Sequence, residues 1–447
     1  MRRRALAAAL VFAVSGCVGT GCTRMREVWN RPQDARTVYS AASVDLNGDG
    51  VADLLVGVRG GAEAYFGSSQ GLKAKPDWVF ASAESGNVGY CVGSAGHLDR
   101  DPFPEIFVSA PRARGVGVVF LFKTGPHGPE AQPWKTLISP EKGEGFGERV
   151  VRVGNVFGDG YDALAVADFA FDGQRGKVYL FRGGPDGPSE KPVWEAKGEH
   201  PGDWFGYSLC GPGDLDGDGF DDLVVGSKNC NGSCLIWLKD NPGFELHRDY
   251  LQSPAYAQAQ NLPMAGRLSV FYGSPRGLAA KPDLNMQGES DHELFAYEFG
   301  TPGRLTPSGR TGLLVGSIGW KDRRGRVELY AGGPQGKPLT RLWKVDGTLA
   351  NQGLGYCMAR LNNFEGPGTD DLLVGGTDPD QAWVYPGFSE EGCRAPRRVL
   401  NGKPTGNRIS DCLGAAGDLY GDGHSEVFLD LPGVSGKLMV LKWESGN

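Results

Sequence analysis

The chain has 447 residues, of which 40% are hydrophobic, 71 are glycine and 29 are proline. So much glycine makes a chain that turns often, which favours many short strands over long helices. The net charge is −7 with no long basic stretch, which argues against a nucleic-acid partner.

Residues 1–22 stand apart from the rest. Met1-Arg2-Arg3-Arg4 is a basic start, and Ala5 to Val14 is an apolar run too short to cross a bilayer. Val14-Ser15-Gly16-Cys17 resembles the lipobox of bacterial lipoproteins, in which the Cys after the cleavage point takes a diacylglycerol on its thiol. Cys22 is the second candidate. The expectation is a lipoprotein signal and anchor over 1–22, lipidated at Cys17. The mature chain, 23–447, then lies in an oxidising, extracytoplasmic part of a bacterial cell envelope.

One unit recurs along that mature chain. Asp45-Leu46-Asn47-Gly48-Asp49-Gly50-Val51-Ala52-Asp53 is followed by Leu54-Leu55-Val56-Gly57. The same frame returns at Asp214, where Asp214, Asp216, Asp218 and Asp222 precede Leu223-Val224-Val225-Gly226. Weaker copies start at His97, Asn155, Arg304, Asn363 and Asp418, so there are seven. Each unit has a strand before the frame (Gly206 to Leu209) and one after it (Ile106 to Ser109). A Gly-led third strand (Gly176 to Phe181) and a fourth with a large apolar residue follow (Trp78, Trp134, Trp194, Leu284, Trp343, Val399). Four short strands in roughly 50–60 residues is one blade of a β-propeller. The last unit ends after its third strand, Lys437 to Trp443, while Arg26-Glu27-Val28-Trp29 looks like a fourth strand without a unit. The predicted fold is therefore all-β: a seven-bladed propeller of four-stranded blades, its ring closed by the N-terminal strand, with no open sheet edge. The step from Asp214 to Arg304 is longer than the rest, which places an insertion at about 230–265, between the second and third strands of blade four.

Carboxylates at positions 1, 3, 5 and 9 of the frame, with Gly at 4 and 6, can wrap one hard cation, and calcium accepts six to eight oxygens in an irregular cage. An EF-hand begins the same way but needs a Glu at position 12 and a helix beyond; here Val56 or Val225 stands there and a strand follows. The predicted ligands are Asp45, Asn47, Asp49 and Asp53 in one loop and Asp214, Asp216, Asp218 and Asp222 in the other. The loop with Asp418, Asp422 and Glu426 is a weaker candidate, since Tyr420 holds position 3. The loop with Asp99, Asp101 and Glu105 is weaker still, since Pro102 replaces a glycine. The loops at Asn155, Arg304 and Asn363 have lost carboxylates and read as plain turns.

This pattern resembles the FG-GAP repeat, the propeller repeat of integrin α-chain heads and of many bacterial secreted proteins. Phe146-Gly147 and Phe205-Gly206 match its Phe-Gly element, with Val88-Gly89, Leu354-Gly355 and Phe295-Ala296 as variants, and Ser109-Ala110-Pro111 is the best Gly-Ala-Pro element. The resemblance covers about residues 26–443. It implies a seven-bladed propeller, calcium at the two full loops, and a binding or adhesion role.

The six His residues do not pair at metal spacing, and no nucleophile elbow, His-Glu-x-x-His or phosphate-cradling loop occurs, so no enzymatic activity is expected. Cys91, Cys210, Cys357 and Cys412 fall in innermost strands and read as buried thiols. Cys230 and Cys234 flank a turn that a disulfide could staple. Trp204 and Trp320, with Arg112 and Arg175, fall in connections on the face opposite the metal loops. With Trp237 of the insertion they form the candidate ligand surface, for a protein or a glycan at the cell surface. The alternatives are a lectin-like propeller and a structural envelope lipoprotein.

Overall fold

A computed structural model describes residues 24–31, 36–141, 145–228, 264–290, 292–302, 311–334, 339–364, 370–377, 380–387, 392, 395–401, 413–431 and 437–444. Within them the strands form seven antiparallel sheets of four. Blade one is Val38–Val44, Asp53–Val58, Gly61–Tyr65 and Trp78–Ala81; blade two is Val92–Gly96, Glu105–Ala110, Val118–Phe122 and Lys135–Ile138. Blade three is Arg149–Gly154, Ala163–Asp168, Lys177–Arg182 and Trp194–Lys197; blade four is Phe205–Gly213, Asp222–Ser227, Arg267–Phe271 and Leu284–Gln287. Blade five is Glu298–Gly300, Gly312–Ser317, Arg326–Ala331 and Thr340–Asp346; blade six is Cys357–Asn362, Asp370–Thr377, Asp380–Tyr385 and Arg397–Asn401. Blade seven is Leu413–Gly417, Glu426–Leu431 and Lys437–Glu444, completed by Arg24–Asn30.

The second strands explain the unbroken apolar runs of the sequence. Asp53–Val58, Glu105–Ala110, Ala163–Asp168 and Asp222–Ser227 are buried at every residue. Each is covered on both faces by neighbouring blades, so neither face is left to alternate in polarity. The core is accordingly divided among the junctions. Leu55, Ala62 and Phe80 of blade one interleave with Ile106, Val108 and Phe120 of blade two. The pattern recurs round to the last junction, where Trp29, Phe428, Leu438 and Val440 of blade seven meet Leu54, Val56 and Tyr65 of blade one. First strands of successive blades touch all the way round, that of blade seven meeting that of blade one.

Closure follows the expected register: Glu27 pairs with Leu441, Trp29 with Val440 and Asn30 with Met439, antiparallel. The side chains agree. The Trp78 indole N–H donates to the Glu130 carbonyl of the next blade at 3.0 Å, and that of Trp194 to the Ala279 carbonyl at 2.7 Å. Trp29 does the same across the last junction, donating to the Lys73 carbonyl at 2.9 Å. These fourth-strand tryptophans therefore pack between blades. Trp134 sits one residue before its strand rather than in it.

The Phe-Gly elements precede or open the first strands. Gly89 has φ +92°, and a Cβ there would lie 2.2 Å from the Gly61 carbonyl oxygen, so the close approach of two blades requires glycine. Cys210 is buried and Cys91 and Cys357 are half-buried. Cys17, Cys230, Cys234, Cys393, Cys412 and Trp237 lie outside the described residues.

Candidate metal loops and the opposite face

The two full frames are hairpin loops joining first to second strands. In blade one, Asp45 curls the loop around itself: its Oδ1 accepts the Gly48 N–H at 2.8 Å and its Oδ2 the Gly50 N–H at 3.0 Å. Asp214 does the same in blade four with Gly217 at 2.6 Å and Gly219 at 2.9 Å. Gly50 and Gly219 have φ of +83° and +94° in open space, so the backbone conformation alone selects glycine. The ninth residue pins the loop to the blade. Asp53 accepts the N–H groups of Leu46 and Gly67, each at 2.8 Å. Asp222 accepts those of Leu215 at 2.6 Å and Gly273 at 2.8 Å. Each of those oxygens keeps a second lone pair.

The charge in these loops is unrelieved. Burial, with repulsion from Asp49 and Asp45, pushes the Asp53 carboxyl up to about 7 against two opposing backbone hydrogen bonds. Burial pushes Asp222 up to about 8, and burial with repulsion from Asp218 and Asp214 pushes Asp216 up to about 6. Asp216 Oδ2 is buried without a hydrogen-bond partner. Asp214, Asp216 and Asp218 each bring a carboxylate oxygen within 4.8 Å of the others. Among the described residues no Lys, Arg or His forms an ion pair with either loop. A cluster of hard oxygens with an orphaned carboxylate and no basic partner among the described residues is a donor set that suits a divalent cation.

Three of the other loops differ in having a basic partner. In blade two, Lys123 Nζ lies 2.5 Å from Asp99 Oδ2 and 3.0 Å from Asp101 Oδ2. Burial alone would raise Asp99, but the bond to Lys123 holds it below the usual carboxylate range. Asp99, Asp101 and Glu105 also gather within 4.8 Å of one another. In blade three, Arg182 Nη2 lies 2.5 Å from Asp159 Oδ2. In blade seven, Lys442 Nζ bonds Asp422 and lies 3.3 Å from Glu426 Oε1. Asp422, like Asp99, is held low against the effect of its burial. Asp418 accepts the Asp422 and Gly423 N–H groups. Residues 303–310 and 365–369, which carry most of the frames of blades five and six, lie outside the described residues.

Alternation of hairpins sends the connections from second to third strand, and from blade to blade, to the other face. There the structure assembles a rim that the sequence reasoning missed. Tyr90, Tyr207, Tyr297 and Tyr356 directly follow the Phe-Gly elements or their variants, as Glu148 does in blade three. Tyr39 is their counterpart in blade one, since Ser40 faces Gly57 as Ser208 faces Gly226. All five tyrosines are half-buried. Tyr207 and Tyr297 lie with ring centroids 5.2 Å apart and hydroxyl oxygens at 2.9 Å, Tyr297 and Tyr356 at 5.6 Å, and Tyr39 and Tyr90 at 6.2 Å. Trp204 joins this rim, 5.9 Å from Tyr207 and stacked on Phe169 at 5.6 Å. Lys228 Nζ lies 4.4 Å from the Tyr207 centroid and 5.2 Å from that of Trp204. The periodic signal was present in the sequence for four of the five, one residue beyond a Phe-Gly element or its variant.

The other predicted surface residues behave differently. Trp320 is buried with the Arg326 guanidinium 3.4 Å from its ring centroid. Arg175 bonds Asp172 at 2.8 Å and the Glu199 carbonyl at 2.5 Å. Arg112 is exposed. The insertion leaves after Ser227 and returns before Arg267, on the rim's face, but residues 229–263 are outside the described set.

Comparison with known proteins agrees with this architecture. Residues 37–71 and 205–230, which contain the two full frames, match the FG-GAP repeat. Integrin alpha-5 of Xenopus laevis is 30% identical over 219 residues, covering 45% of this chain and 21% of that protein. Integrin alpha pat-2 of Caenorhabditis elegans is 29% identical over 228 residues, covering 44% and 18%. The chain thus spans about a fifth of the length of these curated relatives. A crystal structure of BBS1N in complex with ARL6DN, soaked with mercury, has a TM-score of 0.51 at 12% identity, with 94% of this chain and 96% of that one covered, a likeness of fold alone.

Proposed function

We propose that this chain, a seven-bladed β-propeller carrying FG-GAP repeats and similar to integrin alpha chains, is a calcium-stabilised binding or adhesion module. It is held at a bacterial cell envelope through Cys17, outside the cytoplasm. Its two full loops take calcium, through Asp45, Asn47, Asp49 and Asp53 and through Asp214, Asp216, Asp218 and Asp222. The cations brace one face; the ligand, a protein, docks on the other. The observation that carries this reading is the rim of Tyr39, Tyr90, Tyr207, Tyr297 and Tyr356 with Trp204 and Lys228. Half-buried aromatics grouped beside a cation are poorly suited to plain solvent contact and well suited to a protein ligand. The insertion rises from Lys228, where a long loop on a rigid scaffold would border the same site.

The test is capture of surface proteins from envelope extract by the immobilised chain. Capture is expected in calcium, reduced in chelator, and lost in a folded Tyr207→Ala/Tyr297→Ala variant. Capture that survives both those changes and replacement of residues 235–262 by a short Gly/Ser turn would overturn the assignment of the face. Binding on a glycan array, without protein capture, would make the ligand a sugar.

A further inference from the structure

We propose that Lys123, Arg182 and Lys442 are built-in cations, each standing where a divalent ion stands in the loops at Asp45 and Asp214. The proposal rests on the calcium reading of those two loops and adds which loops do not take the ion.

The three basic residues share one position in the blade. Arg182, on the third strand of blade three, faces Ala163, the ninth residue of its frame. Lys123 and Lys442 each come one residue after Phe122 and Leu441, which face Ile106 and Val427, the tenth residues of theirs. The same reckoning in blades one and four, where Tyr65 faces Leu54 and Phe271 faces Leu223, gives Phe66 and Tyr272. So the position is basic in blades two, three and seven and uncharged aromatic in the two blades with full frames, while blades five and six, also degenerate, carry Ala331 and Pro386 there.

The contacts converge as well. All three basic groups reach the carboxylate at position 5: Asp101 at 3.0 Å from Lys123, Asp159 at 2.5 Å from Arg182, and Asp422 from Lys442. Lys123 also holds position 3 through Asp99 at 2.5 Å, and Lys442 approaches position 9 through Glu426 at 3.3 Å. These are the positions whose carboxylates would wrap an ion in the full loops. A single positive charge cannot balance four carboxylates. Each of these frames falls short of four, with His97 at position 1 of one, Asn155, Phe157 and Ala163 in another and Tyr420 at position 3 of the third; the Asp45 loop, with Asn47 at position 3, also has three. An ammonium tethered to the blade cannot dissociate, and it repels a divalent ion from the same oxygens. The loop of Asp418, Asp422 and Glu426, a metal candidate by sequence, is thereby assigned to Lys442.

The test is hydrogen exchange with the full chain in calcium and in chelator, with ion counting by equilibrium dialysis. In the wild type, chelator should speed exchange at 45–53 and 214–222 and leave 97–105, 155–163 and 418–426 unchanged, with two ions bound. Lys123→Gln and Lys442→Gln should each speed exchange about tenfold at their own loop in chelator. Calcium should then restore protection in at least one, with one more ion bound. Chelator-sensitive exchange at 97–105 or 418–426 in the wild type would overturn the proposal. So would unchanged exchange in both folded variants, or loosening that calcium reverses in neither. If 45–53 and 214–222 ignore calcium, the calcium reading fails, while the two Gln variants in chelator still decide whether the lysines hold their loops.

Discussion

Arg31 Nε lies 2.8 Å from Glu63 Oε2, and its Nη2 lies 2.9 Å from Glu63 Oε1. The pair ties the end of the closing strand to blade one, because the Arg31 N–H also donates to the Leu438 carbonyl of blade seven at 2.9 Å. Arg31 is fully buried and the Tyr65 hydroxyl donates to Glu63 Oε2 at 2.9 Å, so neither charge has water to fall back on. Removing Arg31 leaves Glu63 with the Tyr65 hydroxyl and the partly exposed Arg36, 3.3 Å away, in place of a buried bidentate partner. Arg31→Ala should cost about 3–5 kcal/mol in denaturant unfolding, and the paired change Arg31→Met with Glu63→Leu much less.

The closing strand itself should be indispensable. A chain lacking residues 24–30 leaves Lys437–Glu444 as an unpaired edge. Light scattering should show it associating at concentrations where the intact chain stays dispersed, because an open edge recruits other strands.

Calcium should raise the melting temperature of chelator-stripped protein, with affinity on the order of 10⁻⁴–10⁻³ M as in other extracellular modules. Asp49→Ala and Asp218→Ala should each abolish one site, and together remove the response. Calorimetry that detects no heat on calcium addition would contradict this.

A buried carboxyl pair should give an alkaline loss of stability. Burial pushes Glu148 up to about 8, with added repulsion from Asp168, itself pushed up to about 6 by burial. A carboxyl raised in the folded state contributes fully below its unfolded value near pH 4.3, and its contribution is lost as pH climbs toward 8. Glu148→Gln should therefore melt like the wild type near pH 5 and be more stable at pH 8.5, by about 1–3 kcal/mol. A variant less stable at the higher pH would mean the carboxylate is held by contacts that a glutamine cannot replace.

The blades and their closure were legible because they rest on repetition. Trp29 could be matched to Trp194 by its neighbours alone, and the indole bond to Lys73 follows from that match. The full acidic frames were legible because all their oxygen-bearing side chains fall within one short stretch. Lys123, Arg182 and Lys442 were not, since they sit a whole strand away from the carboxylates they meet, and a basic residue at a strand end usually faces solvent. The tyrosine rim was hidden for a similar reason. Each tyrosine is unremarked in its own blade and becomes part of a surface only when the first strands converge on the axis. Trp320 was assigned to the candidate ligand surface because it lies in a connection, but it is buried, with the Arg326 guanidinium over its ring as a flat cationic partner.

Closure also sets an order of events during synthesis. Arg24–Asn30 leaves the ribosome well ahead of its ladder partner Lys437–Glu444. At the usual 5–20 residues per second, the early strand waits roughly 20–80 s. Blade one is complete long before then, and it already carries the carbonyl of Lys73 that receives Trp29 and the carboxylate of Glu63 that receives Arg31. The nascent chain can therefore park its first strand against its first blade, poised at the gap that the final strand will fill.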